Sequence, residues 1–224
     1  MIVTLKALSA LLSYPSADLQ ATVPEIGPAL AREGLLLPSA RKALQPLLDE
    51  LATRDLLDLQ ERFVLLFDRS RTLSLNLFEH IHGEGRDRGQ AMVDLLETYR
   101  AGGWEPVGPE LPDHLPILLE FLALRPLAEA RETLADAVHI LAVLGERLDR
   151  RGSSYAAVMQ ALVALTAARV PADLVADLVA QPEDDPEDLA ALDAVWEETQ
   201  VTFGPDPSAG CPAGRDILAR MTAS

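Results

Sequence analysis

A chain of 224 residues is long enough to bury a substantial core in one main domain, and with 49% apolar but only 4% aromatic residues that core must come from Leu, Ala and Val rather than from rings. This mixture favours helix over strand. The formal charge of -16 argues against a nucleic-acid partner, because phosphate neutralisation needs clustered Lys and Arg, and no apolar run approaches the roughly 20 residues of a membrane span.

The opening, Met1 to Leu8, carries a single Lys and reaches Tyr14-Pro15 without a small-residue cleavage motif, so it reads as a first helix rather than a signal peptide. Leu5, Leu8 and Leu12 form its apolar stripe. Ser16 and Asp18 offer capping for a short second helix before Gly34, and Pro38-Ser39 opens a stronger third one with Leu44, Leu47, Leu48 and Leu51 on one face. Asp55 restarts the pattern with Leu56, Leu59, Phe63, Leu66 and Phe67. After a turn-like stretch to Thr72, Leu73 to Phe78 is too apolar to be exposed. Gly83, Gly85 and Gly89 should then break or loosen the helix until it resumes at Gln90 and runs to Tyr99.

Gly102-Gly103-Trp104 ends that helix, and prolines from Pro106 to Pro112 suggest an ordered connector. Asp113 is placed to cap a helix whose first turn tolerates Pro116. Leu118 and Leu122, then Leu134 to Leu148, then Tyr155 to Leu165 suggest three further helices. The fold class expected is all-α: a single-domain bundle of about nine to eleven short helices with an acidic C-terminal arm. Residues 1–169 form the helical core, residues 170–203 a helical arm with no Lys or Arg, and residues 204–224 a flexible tail. Cys211 is the sole cysteine, so no internal disulfide is possible and the cytoplasm is the expected compartment.

The densest polar chemistry lies between Asn76 and Tyr99. His80, His82, Glu84 and Asp87 are metal-ligand types, but His-x-His aims both rings to one side only on a strand, and no His-Glu-x-x-His pair is present. Gly83, Gly85 and Gly89 precede a helix whose amides could hold an anion, yet they match neither a Walker nor a dinucleotide spacing. His82, Glu84, Asp87 and His114 could exchange protons, but no electrophile stabiliser or nucleophile elbow accompanies them. The bland alternative is a tight helix–helix turn with a solvated charged face. His139 reads as a satisfied core histidine, and Trp104 and Trp196 as packing residues.

Three segments together resemble one family: Phe63 to Asp68, Leu77 to Met92, and Leu111 to Pro116 with Glu120-Phe121-Leu122. This is the respiratory nitrate reductase assembly chaperone family, the NarJ type, also called the delta subunit. The His-Gly-Glu to Arg-Asp-Arg-Gly-Gln-Ala-Met segment carries most of the specificity, while Pro-Asp-His and Glu-Phe-Leu are shared with the wider all-helical molybdoenzyme maturation chaperones. The likeness extends from the first helix to Phe203; Gly85 stands where the family usually has Ser.

The resemblance implies a non-enzymatic cytoplasmic chaperone with no cofactor, metal or catalytic residue of its own. Its partner would be the N-terminal segment of the apo catalytic (alpha) subunit of respiratory nitrate reductase, held while the molybdenum cofactor is inserted, with contacts to cofactor delivery proteins allowed. The chaperone then leaves before the mature enzyme works. Candidate groove residues are His82, Glu84, Arg86, Asp87, Arg88, Gln90, Asp113, His114 and Glu120. The alternative is a nucleotide- or molybdenum-cofactor-binding carrier acting in the same maturation step.

Overall fold

The computed structural model describes residues 1–82, 86–168, 170, 175–176 and 179–180, and of residues 82, 86 and 87 the backbone alone. All of these fall in the first of two units, Met1–Pro186 and Glu187–Ser224. Trp196, Cys211, the tail and nearly all of the arm lie outside the described residues. What is described is all-α, with no strand among the described residues, and none of its helices is long and apolar enough to cross a membrane.

Helix α1 (Val3–Leu11) buries Leu5, Leu8 and Leu11 and has no side-chain cap from Ile2. Its free amides are met from a distance: the Glu33 carboxylate, at the end of α2 (Ala17–Glu33), accepts from Val3 N at 2.8 Å and Thr4 N at 2.6 Å. Burial pushes the Glu33 carboxyl up, but the bonds from Thr4 and Val3 outweigh it and hold it below the ordinary value. Helix α2 is capped by Ser16 as expected, yet it is long, because Pro24 and Pro28 sit within it. Both prolines are exposed, opposite buried Val23, Ile26 and Leu30, so the carbonyls they leave unpaired face water. The helix stops at Gly34, whose φ of 71° is left-handed.

Helix α3 (Pro38–Thr53) buries Leu44, Leu47, Leu48 and Leu51. Helix α4 (Leu56–Phe63) starts from Asp55, which accepts from Leu57 N, and runs on without a break into a π-helical turn, Val64–Asp68, closed by Arg69 N to Val64 O at 3.0 Å. The Phe63 and Phe67 rings sit 4.9 Å apart, and Phe67 meets Tyr155 edge-on at 5.1 Å. The core is leucine-built as composition required, but the scarce rings are concentrated rather than absent. A second cluster joins Tyr99, Trp104 and Phe121.

A 3-10 turn (Arg71–Leu73) leads into an extended stretch in which Leu73, Leu75 and Leu77 are buried at every second position. Helix α5 (Glu79–His82) and helix α6 (Arg86–Ala101) follow. Gly89 therefore lies inside α6 rather than breaking it, and the helix begins one turn before Gln90. It ends at Gly102-Gly103, where Trp104 N reaches Tyr99 O at 3.0 Å and Gly103 N reaches Arg100 O at 2.9 Å, with Gly103 at φ 73°.

Where three helices were expected at the end of the core there are four: α7 (Leu115–Leu122), α8 (Leu127–Asp136), α9 (Val138–Arg150) and α10 (Ala156–Thr166). Leu134 belongs to α8, separated from α9 by the single non-helical Ala137. His139 on α9 is half-buried between buried Val138 and Ile140, not a core histidine. Helix α1 packs on α7, where Ser9 Oγ donates to the Pro116 carbonyl at 2.8 Å, and α9 packs closely on α10.

Candidate functional site

Two segments far apart in sequence cross at the site. The extended stretch before α5 pairs with the connector before α7 in one antiparallel bridge, Asn76 to His114. Leu77 N donates to Asp113 O at 3.1 Å and Leu115 N to Leu75 O at 2.8 Å. Alternation along the extended stretch sends Leu73, Leu75 and Leu77 into the core and leaves Ser74 and Asn76 beside polar groups.

Asp113 is fully buried. It was expected to cap its own helix; instead Oδ2 accepts from Phe78 N at 3.1 Å, and α7 begins at His114 without a side-chain cap. Asp113 Oδ1 has no hydrogen-bond partner among the described residues. Burial pushes its carboxyl up, more than the Phe78 amide and the nearby Arg88 guanidinium pull it down. Arg88 lies mainly with Glu79, 2.9 Å away, and is 3.9 Å from Asp113. Glu79 is held below its ordinary range: burial raises it, but hydrogen bonds from Ser74, Asn76 and Arg88 and the Arg88 charge outweigh that.

Tyr99, fully buried, donates its hydroxyl to Pro112 O at 2.7 Å and so fixes the residue before Asp113. His80 Nε2 lies 2.8 Å from the Ser74 carbonyl, which only a protonated nitrogen can satisfy; burial lowers its pKa, so the ring is neutral with its proton on Nε2. Burial also lowers His114, against the raising effect of Glu110 and Asp113.

Of the expected site residues, Arg88, Asp113 and His114 are brought together. His82 closes α5, Arg86 and Asp87 open α6, and Glu84 lies outside the described residues. Gln90 donates to Asp94 at 2.8 Å along α6, and Glu120 pairs with Lys6 across the α1–α7 contact. Asn76, Glu79 and Tyr99 complete the network without having been singled out as site residues, as does His80, which the sequence offered only as a metal-ligand type. The only hint in sequence was their place inside or beside the polar segment, and a buried tyrosine on a helical stripe reads as core.

Cavities lie on both sides of this network. A polar cleft of about 410 Å³ is lined by Asp68, Arg71, Ser74, Asn76, Glu79 and Arg88 among others. An apolar groove of about 160 Å³ has walls of Leu77, Phe78, Ile81, Leu95 and Leu118, with Asp113 and Asp136 also lining it. Ile81, in the groove wall on α5, is 50% exposed. No group of three or more His, Cys, Asp or Glu placed to hold a metal occurs among the described residues.

The family model described as "Nitrate reductase delta subunit" matches residues 34–161, a span that includes every element of this site. The chain belongs to the nitrate reductase delta subunit family. It is 46% identical over 211 residues to the nitrate reductase molybdenum cofactor assembly chaperone NarJ of Escherichia coli K12, covering 93% of this chain and 88% of the relative. It is likewise 46% identical over 156 residues to the probable assembly chaperone NarW of the same organism, covering 70% and 67%. With the probable NarJ of Bacillus subtilis it shares 32% identity over 172 residues, covering 72% and 87%. By this kinship the delta-subunit chain is a chaperone and not an enzyme.

Proposed function

We propose that this chain is a system-specific chaperone that binds the N-terminal segment of the apo catalytic subunit of respiratory nitrate reductase in the cytoplasm. It supports molybdenum cofactor insertion and assembly, meets cofactor delivery proteins at that stage, and is not part of the mature enzyme. The names of its relatives support the assembly role. The observation that carries the binding reading is Asp113, a fully buried carboxylate whose Oδ1 is unpartnered among the described residues on the wall of an apolar groove.

A buried acceptor without a donor costs about 1–3 kcal/mol, which an incoming N–H or O–H donor recovers on binding. An amphipathic segment laid against Leu77, Phe78, Ile81, Leu95 and Leu118 gains apolar burial, and because the Asp113 carboxylate is closed to water in the empty groove, the groove must open for a basic or hydroxyl-bearing side chain on that segment to meet it. The charge of -16 favours a basic segment. Arg88 shapes the groove from behind, since Glu79 already engages its guanidinium.

Calorimetric titration with a peptide of the client's N-terminal segment tests this reading. Ile81→Asp, at a half-exposed position of the groove wall, should lower affinity at least about tenfold with circular dichroism unchanged. Undiminished binding would take the groove out of the function. The carrier alternative looks instead to the polar cleft, and equilibrium dialysis with guanine nucleotides and molybdopterin separates the two: retention at micromolar ligand favours a carrier.

A further inference from the structure

The apolar groove carries two acids on its lining, Asp113 and Asp136, and no Lys, Arg or His among its described lining residues. They differ in access: Asp113 is fully buried, whereas Asp136 is exposed. They also come from different elements, Asp113 from the connector before α7 and Asp136 from the last position of α8.

The fold makes no use of the Asp136 carboxylate, which has no hydrogen bond or ion pair among the described residues. Helix α8 has no basic residue in its last turn, so this acid stands at the negative end of its own helix with no cation there to offset it. Helix α9 begins two residues later, at Val138, without a side-chain cap, so Asp136 is not drawn to those amides either. Thr133, the other polar α8 side chain on the lining, donates its hydroxyl to Glu129 O at 3.1 Å rather than to Asp136. The buried, unpartnered Asp113 Oδ1 on the same lining marks the groove independently as a place that lacks a donor.

We propose that Asp136 is a specificity residue for the client: it takes a Lys or Arg side chain from the polar face of the bound amphipathic segment. This rests on the groove reading above and adds to it the place of one cation. A groove of about 160 Å³ receives few side chains, and apolar contact alone separates one amphipathic segment poorly from another. Asp136 supplies the discrimination. Because it is open to water, it meets a cation without any opening of the groove, and a segment with an acid at that position is repelled. Asp113 then selects for a hydrogen-bond donor, and Asp136 for charge. An exposed pair of this kind acts mainly on the encounter rate and is screened by salt.

Calorimetry and stopped-flow binding of the full chain to a peptide of the catalytic subunit's N-terminal segment test this, together with a peptide series in which each Lys or Arg is replaced in turn by Glu. Asp136→Lys should weaken the parent peptide about tenfold at low salt with circular dichroism unchanged. Asp136→Asn should weaken it about threefold, chiefly in the association rate, and the difference should fade as salt rises. One peptide of the Glu series should bind the wild-type chain about tenfold more weakly and regain affinity on Asp136→Lys, a rescue that a merely structural role for Asp136 would not give. Parent-peptide binding by Asp136→Lys equal to wild type, or a Glu series with no rescued member, overturns the proposal. If Ile81→Asp abolishes binding in the same assay, that failure belongs to Asp136 alone and the groove stands. If Ile81→Asp leaves binding intact, or the wild-type chain binds no peptide, the groove reading falls and this proposal with it.

Discussion

The hydroxyl of Tyr99 meets the carbonyl of Pro112 at 2.7 Å, so the end of α6 holds the residue that precedes buried Asp113. Removing that hydroxyl leaves the Tyr99 ring packed on Phe121 and Trp104 but strands the carbonyl. Tyr99→Phe should lower stability by about 1 kcal/mol, read as a shift in urea midpoint at unchanged slope, and should weaken client affinity by loosening Asp113.

Asp113→Asn should move stability and binding in opposite directions. The raised Asp113 pKa means that burial outweighs its partners, so at neutral pH the charge destabilises the fold and a neutral amide relieves that cost. The same change removes the acceptor charge from the groove. A higher urea midpoint with at least about tenfold weaker peptide binding is expected; a lower midpoint would show that Arg88 stabilises the carboxylate more than burial opposes it.

Gly102 and Gly103 should fail for different reasons when changed to Ala. A Cβ on Gly102 would stand 2.7 Å from the Phe121 ring, so overpacking should cost about 1–3 kcal/mol. At Gly103 there is open space, but its φ of 73° strains any L side chain, at a cost of about 1 kcal/mol. Double-mutant thermodynamics with Phe121→Leu distinguishes them, since only the Gly102 penalty should shrink.

Two pH windows should appear in the stability curve. His80 is lowered in the fold, so the unfolded chain takes up its proton first. Its share of stability is present at neutral pH and is lost as pH falls below its ordinary value of 6.5 towards the folded value. In His80→Gln the curve should be flatter there. Glu33, lowered relative to 4.5, contributes stability above that value, and this is lost as pH falls through its folded value. Glu33→Gln should remove that slope. Urea titrations at each pH check both variants, and a Glu33→Gln curve as steep in acid as the parent's would mean that the α1 amides do not depend on the charge.

Helices α3, α9 and α10 were legible because their leucine stripes bury one face, a signal carried within a few turns of sequence. Helix α2 was read as too short, because Pro24 and Pro28 look like breakers until it is seen that they lie on the water side. The π turn at Val64–Asp68 leaves no trace in spacing, since Phe63 and Phe67 fit an ordinary helical stripe. Among site residues, Arg88, Asp113 and His114 came from resemblance; Tyr99 and His80 act through bonds to backbone carbonyls, which no side-chain pattern announces.

Composition, charge and helical periodicity by themselves determined an acidic, leucine-built, all-α chain, because helix formation and face burial are settled by neighbours three and four residues apart. Only the tertiary structure decided how the polar segment is held. Asp113 turned away from its own helix to the amide of Phe78, 35 residues earlier in the chain. Contacts that distant depend on which stretches pack side by side, and that comes from the burial of the whole core rather than from any local run of residues.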